Sequence, residues 1–142
     1  MEIIVLRFNE KFAPEKGTIK SHQEIIDKLG YVWFGKRGSI VSEEFKNKIF
    51  INPNPKLLLV KSGSKDKFWG YISEIKNETP NTKEIPEYYR ENANEFKAWF
   101  KITKFEKKEE DIVDRYVTSR SKKPLSYMLT RTSCISFLVE EI

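Results

Sequence analysis

Cysteine and histidine are nearly missing from this chain: Cys134 and His22 stand alone among 142 residues. A single cysteine excludes an intrachain disulfide and a cysteine-rich zinc site. Its place in an apolar run near the C-terminus reads as a small buried hydrophobe. A lone histidine excludes a histidine-cluster metal centre, and any nucleophilic triad would have to recruit it. His22 instead shares a helical face with Ile25, Ile26 and Leu29, the position of a packed or capping side chain. Neither a complete GxGxxG nor a complete GxxxxGK(S/T) phosphate loop is present among the six glycines. No apolar run approaches the roughly 20 residues needed to span a bilayer. Residues 1–8 are apolar but few, contain Arg7 and lead to no small-residue cleavage site, so they read as a strand rather than a signal peptide. The acidic clusters at 43–44 and 109–111 sit where helix first turns favour negative charge, and neither marks a general acid/base pair. These absences point away from an enzyme and call for no cofactor or metal. The lack of disulfides fits a reducing cytoplasm.

What is present is a globular composition, 39% hydrophobic and 33% charged, on a length that suits one domain spanning 1–142. Aromatic side chains are plentiful, with 10 Phe, 6 Tyr and 3 Trp. Such rings fill cores or form stacking platforms. The net charge of +5 is concentrated: Arg115, Arg120, Lys122, Lys123 and Arg131 lie in one segment without an acidic residue, and the rest of the chain sums to zero. A basic segment of this kind attracts phosphate and releases counterions on binding.

Periodicity gives the elements. Glu2–Phe8 has the β-branched content of a buried strand, and 9–17, with Pro14 and Gly17, is a loop. Ser21 with Glu24 forms a capping box that opens a short helix, which Gly30 closes. Residues 31–35 make a strand, 42–48 a short helix, and Lys56–Lys61 with 68–75 a hairpin. A short helix is expected in 86–94, a strand in 96–105, a helix in 109–117 and a last strand in 134–139. Six strands interleaved with short helices predict an α/β (α+β) domain built on a curled mixed sheet or small barrel, not a parallel doubly wound sheet.

Strand alternation sorts the tryptophans. Val32 and Phe34 take one face of their strand, with Tyr31, Trp33 and Gly35 on the other. Phe96, Ala98, Phe100 and Ile102 form a core face, leaving Trp99 beside Lys97, Lys101 and Thr103. Trp69 shares a face with Tyr71, near Lys65 and Lys67. An aromatic flanked by lysines suits a stacked base with phosphates nearby, and equally suits a core ring beneath a covering helix.

Three stretches resemble the PUA-like superfamily, especially its EVE and YTH branches. The first is Gly30-Tyr31-Val32-Trp33-Phe34-Gly35 after a helix. The second is Lys56-Leu57-Leu58-Leu59-Val60-Lys61-Ser62-Gly63 followed by Phe68-Trp69-Gly70-Tyr71-Ile72. The third is Leu125-Ser126-Tyr127-Met128-Leu129 and then Ser133-Cys134-Ile135-Ser136-Phe137. The last departs from the family pattern, with Arg131 alone where the approach is usually arginine-rich. The stretch from Thr18 to Gly35 is also similar to the N-terminal specificity domain of archaeal McrB-type, modification-dependent restriction proteins. The resemblance implies a non-catalytic reader that flips a methylated base into an aromatic pocket. Trp33 and Trp99 would be its cage, Tyr31 and Trp69 its neighbours, and Ser62 a donor to the base edge. The Arg115-to-Arg131 cations, with Lys65 and Lys67, would hold the backbone. It further implies DNA ahead of RNA as partner, and a GTPase motor and nuclease in the full system. An RNA reader, and a small enzyme or structural adaptor, are the alternatives.

Overall fold

The computed structural model describes residues 2–131 and 136–142. Its first strand, β1 (Glu2–Phe8), is a run of Ile, Val and Leu buried on both faces. That is the pattern of a strand enclosed within a sheet. The others are β2 (Val32–Lys36), β3 (Lys56–Lys61), β4 (Lys67–Lys76), β5 (Ala98–Lys108), β6 (Tyr116–Thr118) and β7 (Ser136–Glu141). They form one sheet in the order β2-β5-β4-β3-β1-β7-β6. Among the described residues only β1 and β3 run parallel; every other pair is antiparallel. The curled mixed sheet anticipated from the sequence is therefore the fold, with one strand more among the described residues than the six expected.

The extra strand is β6. Helical spacing suggested a helix over 109–117, but the helical part is a short 3-10 turn, Glu110–Arg115, and the chain then extends. Pairing with β7, and burial of Tyr116 beside Trp69, override the local periodicity. The expected start of the last strand falls partly on residues 132–135, which lie outside the described residues, as does Cys134.

Helix α1 (Thr18–Leu29) begins three residues before Ser21. The reason lies outside the helix: the Glu10 carboxylate accepts the Thr18 N–H at 2.9 Å, while the Ser21 hydroxyl donates back to the Gly17 carbonyl at 2.7 Å. A first-turn donor is thus satisfied from the preceding loop rather than by a capping box. Gly30 ends α1 in the left-handed conformation, at φ 85°, as expected. Helix α2 (Glu43–Phe50) is capped by Ser42, whose hydroxyl accepts the Phe45 N–H, and a third helix, α3 (Leu125–Arg131), lies over β6.

Two register shifts between β4 and β5, near Tyr71 and Ile72, help bend the sheet. The bend brings the edge strand β2 back toward β1. The Phe8 and Phe34 rings meet edge to face at 6.3 Å, although three strands separate theirs in the sheet. The concave side holds the main core, including Ile4, Leu6, Leu57, Leu59, Phe100 and Ile102. A second cluster, with Val5, Leu58, Trp69 and Leu125, lies on the opposite side. A third, with Trp33, Ile85, Tyr89 and Trp99, involves the 3-10 segment Glu87–Glu95.

Candidate functional site

The curl leaves a cavity of about 180 Å³ where the ends of β1 and β2 approach one another. Its walls are aromatic: Phe8, Phe34, Tyr88, Tyr89 and Phe96. Asn9, Thr18 and Asn92 add polar groups, and Lys36 and Arg37 add positive charge; Arg7 also borders it, with its guanidinium donating to the Leu129 carbonyl. No carboxylate among the described residues lines it.

Each wall has a structural cause. Alternation along β1 and β2 turns Phe8 and Phe34 inward. Tyr89 packs on Phe96 with centroids 4.7 Å apart, and Tyr88 meets Tyr89 at 4.9 Å. Phe96 can lie against β2 only because residue 35 is glycine: a Cβ there would stand 2.7 Å from the ring. Arg37 lies over the outer side of Phe96, its guanidinium 5.0 Å from the centroid, and pairs with the exposed Glu95.

Two groups set the electrostatics. Lys36 is buried, and its ammonium donates to the carbonyls of Ser39 (2.9 Å) and Arg37 (3.4 Å). No carboxylate pairs with it among the described residues, and burial lowers its pKa. The Tyr89 hydroxyl is held neutral, burial pushing its pKa well above the usual phenol value. Behind the wall His22 stacks on Phe34 at 4.6 Å, with its Nδ1 2.8 Å from the Thr18 carbonyl oxygen. Its ring is fully buried, as its helical face anticipated, and burial drives its pKa down to about 4.

The sequence-selected residues distribute otherwise. Trp33, Trp69 and Trp99 are 3%, 4% and 0% exposed, which corrects the picture of indoles lining an open cavity. Trp99 is sealed by Tyr89 and Phe96, at 5.9 and 5.1 Å. Lys76 lies 4.4 Å over Trp33, and Lys56 lies 4.6 Å over Trp69. Tyr31 is half-buried, donates to Glu84 at 2.5 Å and carries Lys101 over its ring. Ser62 is exposed beside β1, its N–H bonded to the Phe8 carbonyl.

The cations divide similarly. Lys67 is buried and donates to the Lys65 carbonyl, so it does not face solvent as expected. Lys65 is exposed, 4.0 Å from Glu110. Arg115, Arg120, Lys122, Lys123 and Arg131 are all exposed. Lys122 pairs with Glu140, while Lys123 and Arg131 flank the Tyr127 ring at 5.6 and 5.2 Å. Helix α3 is tied to the cavity strand by Arg7, which donates to the Leu129 carbonyl at 2.8 Å. The sequence reading missed Phe8, Phe34, Tyr88, Tyr89, Phe96, Lys36 and Arg37 as a set. The local cues were the adjacent tyrosines and the Lys-Arg-Gly turn closing β2.

Among the described residues no group of His, Cys, Asp and Glu could hold a metal ion, and no helix is long and apolar enough to cross a membrane. No curated protein and no solved structure matches the chain. The Pua-like family model matches residues 4–130, from β1 into α3. That match covers most of the chain and agrees with the curled mixed sheet, so the chain belongs to the Pua-like family.

Proposed function

We propose that this chain is a nucleic-acid reader that receives one extruded base in the cavity between β1 and β2. The observation that carries the reading is the cavity's composition: aromatic walls, the exposed Arg37 beside the buried Lys36, and no acid among the described residues, in about 180 Å³. That is several times the roughly 30 Å³ share of a liquid water. A flipped base loses its stacking neighbours, and aromatic side chains replace them at about 1–3 kcal/mol per base. A methyl group on the base adds roughly 0.8 kcal/mol if buried. Membership of the Pua-like family supports a binding role over a catalytic one.

In this reading Tyr88, Tyr89, Phe34 and Phe96 contact the base, the exposed Arg37 sits at its phosphate side, and the buried Lys36 holds the turn that carries Arg37. Trp99, Trp33 and Tyr31 back the wall, and Trp69 stays in the core. Ser62, Lys65 and the Arg115-to-Arg131 cations meet the backbone, which positions the strand without reading sequence. Methylated DNA is the preferred ligand, read for a modification-dependent restriction system whose motor and nuclease are other proteins or domains.

The test is an anisotropy panel of plain and methylated DNA and the corresponding RNA, run at several salt concentrations. Methylated DNA should bind tightest, and Tyr88→Ala should abolish the preference while the protein stays folded. Equal, salt-sensitive binding to every probe would reduce the claim to phosphate attraction. Tight binding to RNA alone would move the ligand to RNA.

A further inference from the structure

Phe12 is 67% exposed and yet lines the rim of the cavity. A single exposed phenylalanine needs no explanation by itself. The way this one is presented does. It is the third residue of a turn closed by the Ala13 N–H on the Glu10 carbonyl at 3.2 Å. The turn is braced from both sides. The Asn9 carboxamide accepts the Lys11 N–H at 3.0 Å, and the Glu10 carboxylate is fixed on the first turn of α1. A second turn, closed by Gly17 N–H on the Pro14 carbonyl, completes the loop. The ring is therefore held outward at a turn tip, with the Lys11 ammonium 5.4 Å above it and Arg37 on the same cavity rim.

We propose that Phe12 is a wedge: it enters the base stack of a duplex and fills the space that the extruded base leaves. The wedge rests on the base-binding role proposed for the cavity. An apolar ring next to a base pocket can either wall the pocket or occupy the vacated stack. Phe12 has most of its surface in solvent while the pocket already has five other aromatic walls, and this favours the stack. Lys11 beside it would meet the flanking phosphate. Insertion of apolar side chains between base steps is a general way to hold an unstacked duplex open.

The experiment compares the unaltered chain with Phe12→Ala and Phe12→Trp on three DNA probes. These are a methylated duplex, the same duplex with the target base mismatched, and the methylated strand alone. A fluorescent adenine analogue beside the target base reports unstacking. Phe12→Ala should weaken binding to the paired duplex by at least about fivefold, the low end of a lost stacking contact, and suppress the fluorescence rise. The loss should shrink on the mismatched duplex and vanish on the single strand, and Phe12→Trp should restore binding. Equal weakening on single strand and duplex would make Phe12 a pocket wall and overturn the wedge. So would an unaltered chain that binds the strand but not the duplex. Binding of no probe by the unaltered chain would overturn the cavity reading itself.

Discussion

Gly35 leaves no room for a methyl group, and so one hydrogen atom decides where Phe96 lies. Gly35→Ala should cost about 1–3 kcal/mol as an overpacked site and push Phe96 toward the cavity. A lower urea midpoint together with weakened oligonucleotide binding would show it; an unchanged protein would mean that the ring yields freely. Tryptophan substitutions should behave differently from tyrosine ones. Trp99→Ala removes a sealed side chain and should cost about 3–5 kcal/mol of stability, while the half-buried Tyr88→Ala should spare the fold and affect binding. His22 carries its own pH signature, because it is the single histidine. The folded protein resists protonating it until about pH 4, whereas the unfolded chain takes the proton near 6.5. Its contribution to stability is thus complete above pH 6.5 and is lost as the pH falls toward 4, by about 2 kcal/mol between 6.5 and 5. Urea denaturation at those two pH values should show that excess loss in the unaltered protein relative to His22→Leu.

At the level of elements, local chemistry was a good guide where an element answers to its own residues. The glycine stop at 30, the short helix at 42–48 and the apolar runs of β1 and β3 were all legible. Ser42→Ala should cost about 1 kcal/mol by thermal or urea melting and leave binding unchanged. What escaped were elements governed from a distance. The start of α1 depends on a carboxylate eight residues earlier, and β6 extends because β7 lies beside it. The site escaped for the same reason. Alternation put Val32 and Phe34 on the core side correctly, but not that the sheet curls enough to open a cavity over Phe34. It set Trp33 and Trp99 on the opposite side correctly too, but whether a 3-10 segment covers them is a tertiary fact that no strand pattern contains.

For the molecule as a whole, charge placement was readable and charge availability was not. All five cations from Arg115 to Arg131 are exposed, yet Lys67 has withdrawn beneath its own loop. Reversing Lys122 and Lys123 to glutamate should weaken binding to all sequences alike and flatten its salt dependence. An unchanged salt slope would separate this segment from the bound backbone.

The place of β1 between β3 and β7 governs how the protein can be made. Of the seven strands among the described residues, the earliest to leave the ribosome finds its second neighbour only when residues 136–141 emerge. Until then a row of Ile, Val and Leu has one unpaired side, a template for joining other nascent chains. Chains that stop short of β7 should therefore aggregate more readily than the full 142 residues, because that side of the first strand is never covered.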